Sequence, residues 1–280
     1  MSISTSDFEV VRQLVRQRSA IQLEDGKEYL AVARLTPLLR EEGLGALDQL
    51  VARLRQPYSP LHQRVVEAMT TNETSFFRDN NPFEALRKNI LPNLISQRSH
   101  EKRLKIWCGA CSTGQEPYTI AMLLREHFPL LANWDVYIMA SDINTQVLEA
   151  ARQGRYSQLE VNRGLPAAML VKYFARDGAK WQIREELRKT IDFRQLNLVQ
   201  FWPAMPSFDL ILLRNVLIYF DVETKRTILQ QVRRVMRADA YLILGGAETA
   251  LNVDDSLETL QLEKSTCCRL RRTDKARFVQ

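Results

Sequence analysis

The chain has 280 residues, with 39 Lys and Arg against 33 Asp and Glu, a formal net charge of +6. Apolar residues make up 45% and charged residues 26%, the balance of a chain that buries a core, which excludes wholesale disorder. Ten Gly and ten Pro are too few for a fibrous or low-complexity chain, and four Cys in this length are no disulfide scaffold.

Residues 1–7 show no basic segment followed by an apolar run. The most apolar stretch, 208–220, is interrupted by Asp209, Arg214 and Asn215. The expectation is a cytoplasmic protein without direct membrane insertion. Up to about residue 80, apolar residues recur at helical spacing (Phe8, Val11, Leu14, Val15; Leu47, Leu50, Val51, Leu54), punctuated by Gly26, Gly43 and Pro57. Four or five short helices are predicted, and no strand.

Past residue 100 the pattern alternates. Strand-like runs at 104–108, 136–140, 208–213 and 241–244 are separated by helical patterns at 117–128, 145–152 and 222–236. That is the pattern of βαβ units and a parallel sheet covered on both faces. The segment 260–270 has no following helix and is expected as an antiparallel edge strand. A charged, β-tolerant stretch at 178–194 is too short for another βαβ unit and is expected as a small inserted β-subdomain. The division is therefore 1–80, helical domain and linker, and 81–280, an α/β domain of the doubly wound, Rossmann-like class.

The most informative run is Cys108-Gly109-Ala110-Cys111-Ser112-Thr113-Gly114-Gln115-Glu116-Pro117, a strand leading through two glycines into a helix start. This is where doubly wound sheets bind ligands. It is neither G-x-G-x-x-G nor a P-loop, and a glycine loop can also be a plain turn. Asp142 ends the next strand, where an acid accepts ribose hydroxyls or caps the following helix. Glu116, at a helix N-terminus, is favoured there by the dipole or contacts a cationic ligand. A loop with a Glu and no Lys or Arg suits a positively charged nucleoside, and S-adenosylmethionine fits that description. Cys108-x-x-Cys111 has the spacing of a zinc half-site, but adjacent Cys267 and Cys268 are a poor second half. Packing is the better account, and no metal is expected.

Three further strings are specific: Thr70-Thr71-Asn72-Glu73-Thr74-Ser75-Phe76-Phe77-Arg78-Asp79, Asn197-Leu198, and Leu213-Arg214-Asn215-Val216-Leu217-Ile218-Tyr219-Phe220-Asp221. With Gly109 and Gly114-Gln115-Glu116-Pro117-Tyr118, the chain resembles the chemotaxis receptor glutamate methyltransferases, the CheR family. The resemblance implies a small all-α domain before a class I methyltransferase sheet with an antiparallel last strand and an inserted β-subdomain. It implies S-adenosylmethionine held by Asn72, Thr74, Arg78, Gly109, Glu116, Asp142, Asn197, Leu198, Arg214 and Asn215, with S-adenosylhomocysteine as a tightly bound product. Arg78 and Tyr219 are the candidate catalytic residues. The bland alternatives are a surface ion pair of Arg78 with Asp79 or Glu84, and a core aromatic for Tyr219.

The family's partner is the cytoplasmic signalling region of chemoreceptors, met by a basic second helix. Lys27, Arg34 and Arg40 stand there as the candidate substrate-binding residues, but Thr36-Pro37-Leu38-Leu39 thins the ridge and Pro37 invites a kink. The stretch Asp177-Gly178-Ala179-Lys180 is shorter than in members that grip a receptor's C-terminal pentapeptide, so independence of that tether is expected. A nucleic-acid methyltransferase would want an Asn/Asp-Pro-Pro-aromatic loop, which is absent, so no nucleic-acid partner is expected. A cofactor-sensing scaffold is the non-enzymatic alternative. The basic cluster Arg269, Arg271, Arg272, Lys275 and Arg277 is read as a solvated tail.

Overall fold

The computed structural model describes residues 2–262 and 264–271. Arg272, Lys275 and Arg277 of the basic cluster lie outside the described residues. The chain opens with helices α1 (Thr5–Ser19), α2 (Glu28–Glu41), α3 (Leu47–Leu54) and α4 (Pro60–Ala68). Residues three or four apart on each helix, such as Phe8, Val11 and Val15 on α1, meet in one apolar core. Ser4 Oγ accepts from Asp7 N to start α1. Pro60 occupies the first turn of α4, where Ser59 N donates to His62 Nδ1 at 3.1 Å and His62 Nε2 lies 3.1 Å from Leu54 O. That buried histidine is a structural clasp. The helix α2 runs past Pro37 to Glu41, because Leu38 and Leu39 are anchored in the core.

A junction leads to α5 (Asn81–Ala85), a π-helical turn (Leu86–Ile90) and α6 (Leu91–Gln97). Then follow β1 (Arg103–Gly109), α7 (Gln115–His127), β2 (Asp135–Asp142), α8 (Thr145–Gln153), β3 (Arg155–Ser157), α9 (Gln158–Asn162) and α10 (Ala167–Tyr173). The remainder is β4 (Phe174–Asp177), β5 (Lys180–Ile183), α11 (Glu185–Arg188), β6 (Ile191–Gln195), β7 (Phe208–Leu213), α12 (Val222–Val235), β8 (Met236–Leu244), β9 (Leu257–Leu262) and β10 (Ser265–Leu270).

The main sheet has seven strands in the order β6-β2-β1-β7-β8-β10-β9, parallel from β6 to β8. Alternate residues face opposite sides. Ile106, Cys108, Leu210 and Leu212 join the core under α7 and α8, whereas Trp107, Ile211 and Leu213 join the core under α12. The four cysteines are free and buried. Adjacent Cys267 and Cys268 even enter opposite cores. Among the described residues no group of His, Cys, Asp and Glu could hold a metal, and no helix is long and apolar enough to cross a membrane.

Two expectations need correction. The inserted β-subdomain is not confined to 178–194: its sheet, β3-β5-β4, begins at Arg155, and Ile191–Gln195 is instead the edge strand of the main sheet, parallel to β2. The final segment is two strands, not one. The strand β10 lies antiparallel between β8 and β9, leaving β9 at the edge.

Candidate active site

A cleft with about 920 Å³ of space, part of it open to solvent, lies at the carboxyl ends of β1, β2 and β7. Its walls come from the junction before α5, from four segments that the main sheet brings together, and from the end of α1.

The first wall is the junction strap, which supplies Asn72, Thr74 and Arg78. Phe76 is fully buried, edge-on to Tyr156 at 5.0 Å and Phe174 at 5.7 Å, so the strap is nailed to the small sheet. Gly164 permits this: a Cβ there would lie 2.1 Å from Phe76 O. Phe77, Asp79 and Asn80 have φ of +48°, +67° and +44°, a conformation that costs a non-glycine residue roughly 1–2 kcal/mol. Packing and hydrogen bonds hold that strain in place. Arg78 Nη1 donates to Glu73 O at 3.0 Å, while Asp79 pairs with Arg214 and Glu84 with Arg87 and Lys88. The surface ion pair considered for Arg78 is therefore not formed.

The second wall is the loop after β1, with Ala110, Cys111, Ser112 and Glu116. Gly114 caps α7 at φ +92°, and a Cβ there would meet Ala151 Cβ at 2.9 Å. Gly109 does not reach the cleft wall. An added Cβ would lie 2.9 Å from Leu213 Cδ1, so the glycine serves close packing of β1 against β7. Ser112 Oγ donates to Asn72 O at 2.8 Å, joining this wall to the strap.

Asp142, at the end of β2, does not cap α8. Asn144 does, accepting from Gln146 N and Val147 N. Asp142 Oδ2 accepts from Ser112 N and Oδ1 from Asn144 N, both at 2.9 Å. A carboxylate offers about four acceptor sites, so Asp142 keeps acceptor capacity beyond its backbone N–H partners. Burial holds the Asp142 carboxyl above its ordinary range, partly offset by the N–H groups of Asn144 and Ser112. Burial likewise raises Glu116, and the Arg214 guanidinium pulls it back.

The last walls bring Asn197 and Leu198, then Arg214, Asn215 and Tyr219. Asn197 Nδ2 donates to Arg18 O at 2.7 Å, a direct tie between α1 and the sheet domain. Arg214 donates to Glu116 Oε2 and Asp79 Oδ2 at 2.8 Å and to Arg78 O at 2.9 Å. Its Nε is the one buried side-chain polar atom without a partner among the described residues. Tyr219 is half-buried, and its phenol makes no hydrogen bond among the described residues.

One functional residue carried no motif. Glu248 Oε2 accepts from Asn215 N at 2.7 Å and Gly245 N at 2.6 Å. Its Oε1 accepts from Val216 N, Leu217 N and Ile218 N at 2.8, 2.6 and 3.3 Å. That carboxylate holds Asn215 at φ +57°. The only sequence sign was an acid just past Gly245-Gly246 at the end of the last parallel strand.

The substrate-binding candidates are scattered. Arg34 is committed to Met69 O and Thr71 Oγ1 at the start of the strap. Lys27 precedes α2, whereas Arg40 sits in its last turn, about 20 Å along the axis from Lys27 at 1.5 Å per residue. None of the three lines the cleft.

The carboxylates of Asp142, buried, and Glu116, half-buried and bonded to Arg214, stand in a lining with Arg78 and Arg214 but no Lys. The acceptors left on Asp142 and Glu116 fit the ribose hydroxyls and the cationic end of a positively charged nucleoside. The CheR all-alpha domain matches residues 6–70 and the CheR methyltransferase SAM-binding domain matches residues 72–266. The chain is 38% identical to "Chemotaxis protein methyltransferase 1" of Pseudomonas aeruginosa, over 93% of this chain and 96% of that protein. It is 35% identical to "Chemotaxis protein methyltransferase Cher2" of Pseudomonas putida, over 93% and 96%, and 34% identical to "Chemotaxis protein methyltransferase" of Vibrio parahaemolyticus, over 97% and 99%. With the helical domain, the sheet and the cleft all accounted for, the chain belongs to the CheR methyltransferase family.

Proposed function

We propose that this chain transfers the methyl group of S-adenosylmethionine to glutamate side chains of chemoreceptor signalling regions, giving methyl esters and S-adenosylhomocysteine. The observation that carries the reading is one cleft joining Asn72, Thr74, Arg78, Glu116, Asp142, Asn197, Leu198, Arg214 and Asn215, in a chain whose two family matches run from residue 6 to residue 266. Because those signalling regions are cytoplasmic, so is the enzyme.

When bound, S-adenosylmethionine supplies a methyl group on a sulfonium, activated toward nucleophiles. The chain does the rest by placement. Asp142 accepts the ribose hydroxyls, and Glu116 with Asp142 complements the positive charge. Arg78 and Tyr219 orient the incoming carboxylate. A glutamate is already ionised at neutral pH, so no general base is needed. The histidines agree: His62 is the clasp of α4, and neither His100 nor His127 lines the cleft. The rate gain comes from alignment and exclusion of water.

The test is labelled S-adenosylmethionine incubated with receptor signalling fragments and, separately, with RNA, followed by mild alkali. Carboxyl methyl esters release methanol in base. Alkali-stable label, or label on the RNA, overturns the reading.

Tyr219→Phe removes only the phenol, and is expected to lower turnover about tenfold, the scale of one lost hydrogen bond, with unchanged S-adenosylhomocysteine affinity. Wild-type turnover at saturating cofactor removes Tyr219 from the reaction. The small sheet bears on the tether. Asp177 pairs directly with Lys180, so Gly178-Ala179 makes a two-residue turn with no loop to wrap a peptide. Calorimetry with a receptor-tail pentapeptide is expected to show no micromolar binding.

A further inference from the structure

The rim beside Tyr219 carries two cations, Arg16 and Lys225, against the single carboxylate of Asp221. Arg16 and Arg18, in the last turn of α1, are exposed. The Arg16 side chain makes no hydrogen bond or ion pair among the described residues, and Arg18 only stacks over the Tyr58 ring at 4.2 Å. Lys225, in the first turn of α12, is half-buried and its Nζ is also without a partner there.

Arg16 and Lys225 come from different domains but converge on one residue. The Asp221 carboxyl is held below its ordinary range first by the Thr224 N–H and then, through space, by Arg16 and Lys225. Gln22 fastens the two sides together, with its N donating to Tyr219 O at 3.4 Å and its Nε2 to Asp221 Oδ2 at 3.3 Å. Ser19 and Ile21, just past these arginines, line the cleft. The convergence is therefore at the cleft mouth.

Two apolar side chains flank the same segment, with Ile218 47% and Val222 51% exposed. Several other cations of the helical domain are already paired: Arg12 with Glu9 and Asp25, Arg55 with Asp7, and Arg64 with Glu41 and Glu42. Lys27 and Arg40 are not among these pairs, but neither lines the cleft.

We propose that Arg16 and Lys225, flanking Ile218 and Val222, form the docking surface for a receptor segment whose chemistry complements them, a helix with an acidic face beside an apolar stripe that carries the substrate glutamate. This rests on the function proposed above and moves the contact from α2 to the α1–α12 rim. The cations attract the acidic face and set its direction, while the two apolar residues meet its apolar stripe. Rim charges act mainly on encounter, and their effect falls with salt. The substitutions therefore change KM and leave the chemical step alone.

The test measures methyl transfer to a receptor signalling fragment by wild type, R16E/K225E and the conservative R16K/K225R, at low and raised salt. S-adenosylhomocysteine affinity is measured in parallel by calorimetry. The reversal variant is expected to raise KM for the fragment about tenfold or more at low salt, with kcat and product affinity unchanged. The conservative variant is expected to behave as wild type, and the wild-type KM to climb with salt toward that of the reversal variant. An unchanged KM in R16E/K225E, with wild-type transfer intact, overturns the rim alone. Absence of transfer by the wild type overturns the functional reading and the rim with it.

Discussion

Arg78→Ala is expected to lower methyl transfer about a hundredfold at saturating S-adenosylmethionine, the scale of a misplacement of about 1 Å in the reacting groups. The strap is bent by consecutive polar and aromatic residues, with Phe77, Asp79 and Asn80 all at positive φ. It keeps that shape because Phe76 is buried below it and Arg78 binds it from both ends. The Arg78 side chain holds Glu73 O, and its carbonyl receives Arg214 Nη2. Removing the guanidinium deletes one brace and, on the proposed function, the cation that orients the incoming carboxylate. Single-turnover rates separate chemistry from binding. Product affinity within a few-fold of wild type, with a slowed single turnover, is the expected pair of results. A wild-type single-turnover rate sinks the role.

The second large effect is expected from Glu248→Gln. Each Glu248 oxygen is an acceptor for at least two backbone N–H groups. An amide turned either way sets its NH2 donor against donors, leaving buried N–H groups unsatisfied at about 1–3 kcal/mol each. Asn215 would then lose the contacts that hold it at positive φ. The expected outcome is at least a tenfold loss in S-adenosylhomocysteine affinity on this energy scale, together with a lower Tm. Calorimetry and thermal unfolding measure the two, and unchanged affinity shows that Glu248 does not set the Asn215 wall.

Much of this was legible because its signals are local. Strands buried on both faces read as short apolar runs, and the runs at 104–108 and 208–213 became β1 and β7 nearly residue for residue. The small sheet was harder, since β3 has three residues and pairs with a strand more than twenty positions later. Such pairing leaves no periodic trace. The strand β6 is hard to place for the opposite reason: its half-exposed, charged pattern is that of an edge, which looks the same in either sheet. The hairpin β9–β10 was read as one strand because the break at Lys264 lacks glycine or proline.

The site followed the same division. Residues held in contiguous strings meet in one cleft, whereas Glu248 works through backbone N–H groups and asks nothing recognisable of its neighbours. Charge gave the least guidance. Arg34 looked available and is spent on Met69 O and Thr71, while Arg16 drew no notice on a helix not expected to bind anything.

The stitches between the helical domain and the sheet bear on how such enzymes can be recombined. Asn144 caps α8 with one end of its amide and donates with the other to Glu67 O and Thr70 Oγ1. Asn197 reaches Arg18 O from the opposite side of the cleft. Asn197 lines the cleft and Asn144 lies two residues from Asp142, so the helical domain is part of the frame of the cleft. A chimera that exchanges residues 1–70 between relatives would inherit a damaged nucleoside pocket unless Glu67, Thr70, Asn144 and Asn197 travelled together. On the rim proposed above, new receptor preference should therefore arise by drift on the exposed residues of α1 and α12, and domain shuffling should be a poor route to it.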